Sequence, residues 1–175
     1  MVMEKLQVNP AKVKGRPVYH TIKRIFDILA SALGLILLSP LFLFLMIKIR
    51  HEDGGPAFYS QERIGKDERP FKMWKFRSMV VNADQMLDQL EDENEVDGAM
   101  FKIKNDPRIT KIGHTIRKYS LDELPQLWNV LIGDMSLVGP RPPLPSEVAE
   151  YTDYDKQRLL VMPGCTGLWQ VTRRS

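Results

Sequence analysis

Residues 28–47 read ILASALGLILLSPLFLFLMI, twenty consecutive positions without a charge. As a helix, that length just crosses a hydrocarbon core of about 30 Å. It lies too far into the chain for a signal peptide, no small-residue cleavage site follows it, and Lys48 and Arg50 close it. Near its midpoint stands Ser39-Pro40. Proline removes a backbone hydrogen bond and clashes with the carbonyl four residues back, so it kinks a helix. The serine hydroxyl can satisfy a carbonyl freed by that kink. Lys12, Lys14, Arg16, Lys23 and Arg24 precede the stretch, and Lys48, Arg50, Arg63 and Lys66 follow it. Basic residues mark the cytoplasmic side, so neither flank favours translocation. A helix that enters, bends at Ser39-Pro40 and leaves by the same face satisfies both. A single crossing is the plainer alternative.

The rest of the composition agrees with a membrane surface. The 175 residues suffice for one domain. The net charge of +3 is uneven: residues 1–81 carry 14 Lys+Arg against 7 Asp+Glu, and residues 82–175 carry 11 against 15. A basic half beside an apolar stretch suits anionic lipid. No zinc-finger spacing, basic zipper or aromatic-basic signature is present, so nucleic acid is not an expected partner. Cys165 is the only cysteine, which excludes an intrachain disulfide and fits a reducing, cytosol-facing location. His20, His51 and His114 are scattered and form no metal cluster.

The expected fold is α+β: a mostly helical cytosolic domain with a small β-hairpin, anchored by the re-entrant helix. Residues 1–22 read as an irregular lead-in, 23–51 as the membrane helix and 52–175 as the domain it anchors. Residues 56–64 and 71–79, rich in aromatics, flank the polar turn 65–70 and predict the hairpin. On an extended strand Lys75 and Arg77 share one face, and two such cations can hold a diphosphate. The same pair also suits a solvated face near anionic lipid. Residues 82–97 are acidic and read as a surface helix capped by Asn82. A turn at 105–108, a helix over 110–119 and a helix over 146–161 capped by Ser146 follow. Pro163-Gly164-Cys165-Thr166-Gly167 reads as a tight turn.

Residues 120–142 read SLDELPQLWNVLIGDMSLVGPRP. Asp122 and Glu123 stand at the start of an apolar run. Ser120 and Glu123 have capping-box spacing, which alone would explain the glutamate. Pro125 opposes a regular helix from Ser120, because its ring would meet the Leu121 carbonyl. Either way the acids sit at an irregular point near positive backbone dipoles, where an ionised carboxylate is favoured and can act as a nucleophile or hold a divalent cation. Pro140 and Pro142 stiffen the backbone of Arg141, whose planar donors suit phosphate oxygens. Neither a Walker A loop nor a Gly-x-Gly-x-x-Gly turn is present.

Taken in order, these segments resemble the monotopic phosphoglycosyl transferases, the bacterial initiating sugar transferases. The resemblance runs from about Lys23 to Val171. It rests on Lys23-Arg24-Ile25-Phe26-Asp27, Ser39-Pro40, Lys75-Phe76-Arg77-Ser78-Met79, Asn105-Asp106-Pro107-Arg108-Ile109-Thr110, the 120–142 run, and Pro163-Gly164 with Thr166-Gly167 and Trp169-Gln170-Val171. It implies transfer of a sugar phosphate from a UDP-sugar to polyprenyl (undecaprenyl) phosphate, releasing UMP, on the cytoplasmic face of the bacterial plasma membrane. This is the first membrane step of exopolysaccharide, capsule, O-antigen or glycoprotein glycan synthesis. It further implies Asp122 as covalent nucleophile, Glu123 as its partner, and Mg²⁺ held at Asp122 and Glu123. Lys75, Arg77 and Arg117 would bind phosphate, and Pro140-Arg141-Pro142 the nucleotide side. Two departures stand out: Arg173 replaces the family's usual glycine after Trp-Gln-Val-Thr, and the family's further C-terminal portion is expected to be missing. The second departure leaves open a non-catalytic, membrane-anchored assembly or regulatory protein of polysaccharide synthesis.

Overall fold

A single α-helix, α1 (Pro17–Asp53), dominates the computed structural model, which describes Asn9, Ala11, Val13 and residues 15–83, 85–86 and 106–167. Pro17 opens α1 at the position where a missing N–H costs nothing. Arg50 and His51 lie in its last turn, and Gly54 ends it with φ +75°. At 37 residues it is about 55 Å long. The helix is longer than the expected 23–51 and takes in residues 17–22, which were read as irregular lead-in. The reason is that Val18, Tyr19 and Ile22 continue its exposed apolar stripe. Helical structure is assigned on both sides of Pro40, which lies inside α1.

The chain divides into two compact units: Met1–Leu37 with Gln61–Met73 and Gln126–Ser175, and Leu38–Ser60 with Trp74–Pro125. The division of α1 falls beside Ser39-Pro40. Strands β1 (Phe58–Ile64) and β2 (Pro70–Phe76) form the expected hairpin and also contribute to both units.

In the first unit α1 reverses the polarity of a soluble amphipathic helix. Asp27 and Ser31 are buried, while Ile22, Ile25, Phe26, Leu29, Leu33, Ile36 and Leu37 are each more than half exposed. Asp27 Oδ1 accepts the Leu137 N–H at 3.1 Å, and Oδ2 accepts from Ser136 Oγ at 2.7 Å and Lys23 Nζ at 3.3 Å. Lys23 Nζ also meets Ser136 Oγ. Arg24 donates to the carbonyls of Val130 at 2.5 Å and Leu131 at 2.8 Å. These two carbonyls belong to the last turn of α3 (Gln126–Ile132), where a cation offsets the helix dipole. Strand β3 (Ser136–Val138) pairs in parallel with β4 (Gly164–Thr166), Ser136 facing Gly164 and Val138 facing Thr166. Met73, Val130 and Met135 form the core under them.

The parallel pair was not expected. Residues 163–167 were read as a turn, because three-residue strands carry no periodic signal and their partner is more than twenty positions away. The expected helix over 146–161 is instead α4 (Pro145–Ala149), α5 (Asp153–Lys156) and a 3₁₀ turn (Gln157–Leu160). Thr152 and Asp155 build a fresh capping box that restarts the helix. Leu144, not Ser146, is the N-cap of α4.

In the second unit Leu45 and Ile49 of α1 pack with Ala57, Phe76 and Ile116. The Phe76 ring lies 5.1 Å from that of Phe42 and 5.2 Å from that of Phe58. Helix α2 (Lys111–Lys118) matches the expected 110–119, with Thr110 as its cap. Glu52, in the last turn of α1, accepts the Lys111 and Ile112 N–H groups at 2.7 and 3.2 Å. A carboxylate at that helix start is favoured by its dipole.

Candidate functional site

Asp122 and Glu123 lie in a 3₁₀ turn, Leu121–Glu123, between α2 and α3. The expected capping box does not form. Ser120 has φ +56°, ψ +25°, a left-handed conformation, and its hydroxyl caps no N–H of the turn. Buried Pro125 delays the α-helix to Gln126. The left-handed bend after α2 therefore sets the dyad, and such a conformation costs a non-glycine residue roughly 1–2 kcal/mol.

Burial pushes the Asp122 carboxyl above the usual aspartate range. Lys75 pulls it back down, Glu123 pushes it further up, and Arg117 pulls it down. The sequence reading expected an ionised carboxylate favoured by helix dipoles; desolvation is instead the largest influence. The result is a carboxyl group partly shielded from water, with the charges of Lys75 and Arg117 offsetting part of that effect, a state that raises its basicity. Lys75 Nζ lies 3.5 Å from Glu123 Oε1.

The other expected residues are placed as follows. Arg117 is in the last turn of α2, and its Nε donates to buried Ser78 Oγ at 2.8 Å. Arg77 lies just past β2, is buried, and pairs with Asp53, the last residue of α1. Lys75 and Arg77 thus meet different carboxylates. Asp106 holds Arg108 through Nε at 2.9 Å and Nη2 at 2.7 Å, which keeps its carboxyl below the usual range. Asn105, residues 87–97 and Trp169-Gln170-Val171 lie outside the described residues, as does most of the acidic segment after Asn82.

Pro140, Arg141 and Pro142 belong to the other unit, where four successive carbonyls are held. Pro140 accepts from the Gly164 N–H at 2.9 Å, Arg141 from Arg158 at 2.8 Å, Pro142 from Arg63 at 3.2 Å and Pro143 from the Ile64 N–H at 2.9 Å. The Arg141 side chain is exposed above this fixed backbone. The contact between Val138-Gly139-Pro140 and Pro163-Gly164 is backbone on backbone: a Cβ on Gly164 would lie 2.0 Å from the Gly139 nitrogen.

Ser78 is the functional candidate that residue types alone did not single out, although it sits in the quoted Lys75–Met79 run. Its backbone explains Gly113: a Cβ there would meet the Ser78 carbonyl oxygen at 2.0 Å. Gly113→Ala is expected to lower stability by about 3 kcal/mol, because two backbones must separate. Thermal unfolding in detergent measures this.

A sequence model of the family described as bacterial sugar transferase matches residues 18–175. A galactosyl transferase, CpsE, of Streptococcus agalactiae is 51% identical over 153 residues, covering 87% of this chain and 34% of that protein. An undecaprenyl-phosphate galactose phosphotransferase of Salmonella typhimurium is 47% identical over 179 residues, covering 100% of this chain and 37% of that protein. The exopolysaccharide production protein ExoY of Rhizobium meliloti is 44% identical over 164 residues, covering 91% and 73%. The chain thus spans about a third of the length of the first two relatives.

Proposed function

The chain belongs to the bacterial sugar transferase family, and from that premise we propose that it transfers a sugar phosphate from a UDP-sugar to a polyprenyl phosphate, releasing UMP. The observation that carries this reading is the half-buried Asp122 carboxyl, raised by desolvation and subject to the charges of Lys75, Glu123 and Arg117. An Asp122 oxygen attacks the β-phosphorus, the bond to the UMP oxygen breaks, and an aspartyl-phosphosugar forms. A lipid phosphate oxygen then attacks that phosphorus and returns the carboxylate. Lys75 and Arg117 hold phosphate oxygens, with Arg117 oriented by Ser78. Arg141 serves the nucleotide side, its Pro140 and Pro142 neighbours keeping the backbone still. Arg77 is buried on Asp53 through Nη2, while its Nε and Nη1 have no hydrogen-bond partner among the described residues.

The donor set fits Mg²⁺, which binds through one or two carboxylates plus substrate phosphates rather than an all-protein cage. Asp122 and Glu123 are two hard oxygen donors in one turn, and no larger His/Cys/Asp/Glu group occurs among the described residues. When bound there, the ion would neutralise diphosphate charge.

The α1 helix is long and apolar enough to cross a membrane. We read it as bending at Ser39-Pro40, with both basic flanks in the cytoplasm. Single cysteines placed on each flank, in a Cys165→Ser background, are expected to label from the same side. Opposite-side labelling overturns the re-entrant arrangement.

The activity is tested by incubating the protein with UDP-hexoses or UDP-N-acetylhexosamines, polyprenol phosphate and Mg²⁺. UMP release and a sugar-phosphate adduct in the intact mass are expected; the absence of both rejects the reading. Lys75→Met removes the cation that most lowers the Asp122 pKa. The acid limb of its kcat/KM profile should therefore move to higher pH.

A further inference from the structure

Besides the dyad, the first unit holds a cavity of about 370 Å³ at the first turns of α1. That falls in the size range of small-molecule sites, roughly 300–1,000 Å³. Three cations line it: Lys23, Arg24 and Lys66. Lys23 is balanced by Asp27. Arg24 meets only carbonyls, and neither it nor Lys66 has an ion-pair partner among the described residues. Among the described residues the lining therefore carries three cations against one carboxylate. Val138, Leu160 and Met162 add apolar lining. Tyr19 and Ile22, beside it on α1, are 57% and 63% exposed. They begin the face of the helix that suits lipid.

A free inorganic anion would make no use of the apolar lining, and a neutral lipid would make no use of the cations. An anion joined to hydrocarbon uses both. We infer that this cavity binds the phosphate of an anionic membrane lipid, a monoester or diester, with the first carbons of its chain on Val138, Leu160 and Met162. The site would fix the start of α1 at headgroup depth, where Tyr19 also belongs. This inference rests on α1 lying in a membrane and does not depend on which residue is the nucleophile; Pro140, beside Arg141, also lines the cavity.

Native mass spectrometry of the whole chain in detergent tests it, with phosphatidylglycerol, phosphatidic acid or phosphatidylcholine added in turn. One-to-one adducts are expected with the first two and not with phosphatidylcholine. Equal retention of both anionic lipids assigns the site to a diester or monoester alike; preference for phosphatidic acid assigns it to a monoester. Lys66→Glu should weaken retention at least about fivefold, the effect of one interfacial cation. Val138→Asp, at a side chain 60% exposed, puts a carboxylate in the apolar lining and should weaken it similarly. Lys111→Glu, on the other unit, should change nothing. Anionic lipids held no better than phosphatidylcholine, or unchanged retention in both cavity variants, would overturn the proposal. UMP release is not part of this readout, so its failure and that of the transferase reading are separable.

Discussion

Asp122→Asn is expected to reduce UMP release and adduct formation on the order of 10⁴-fold or more, as removal of a covalent nucleophile does elsewhere. The protein should remain folded. Burial raises the Asp122 pKa in the native state, so the native chain binds more protons than the unfolded chain above the ordinary aspartate value. This group's contribution to stability is full below that value and is lost as pH rises through the raised one. Asparagine never ionises. The variant should therefore melt at or above the wild-type temperature at neutral pH, and the difference should narrow in acid. Retained turnover with unchanged adduct would remove Asp122 from the nucleophile's role. A marked loss of melting temperature would contradict the desolvation argument itself. Asp106 has the opposite sign: its pKa is lowered chiefly by the hydrogen bond from Arg108. Its stabilisation is present above the ordinary value and is lost as pH falls through the depressed one.

Asp27→Ala should cost about 3 kcal/mol, the lower end of the effect of removing one partner from a buried ion pair, because Lys23 is only half-buried. The carboxylate is 4% exposed and accepts from Lys23, Ser136 and the Leu137 N–H. Alanine would leave three donors around a hole, buried Ser136 Oγ, half-buried Lys23 Nζ and a backbone N–H of β3 that has no side-chain freedom to turn toward water. Asp27→Asn keeps two acceptor directions on one oxygen and should cost less. Thermal unfolding of both variants in detergent measures the difference. If Asp27→Ala matches wild type, the polar seam between α1 and β3 does not hold this unit together.

Much of this organisation was readable along the chain. The uncharged run 28–47, the helix over 110–119 and the hairpin each rest on patterns within about twenty residues, and each is present with its ends shifted by a few positions. The α1 start moved to Pro17 because the apolar stripe continues through Val18 and Ile22, which the lead-in reading treated as isolated. The broken helix after Pro145 was missed because Thr152, whose capping box with Asp155 restarts the helix, looks from the sequence like a polar position on one continuous helix.

The sequence by itself determined the long apolar helix, the order of the motifs and the adjacency of Asp122 to Glu123, since periodicity and neighbouring residue types act over one or two turns. Only the tertiary structure decided that Ser120 turns left-handed, that Ser78 orients Arg117, and that Gly139 and Gly164 let two backbones touch. It also decided that Asp122 is ruled by desolvation rather than by helix dipoles. A carboxylate's state depends on what excludes water from it and on which charges face it. Beside the neighbouring Glu123 and Arg117, the largest charge influence is Lys75, more than forty residues earlier, and burial in the packed turn outweighs all three. No local pattern encodes either of them.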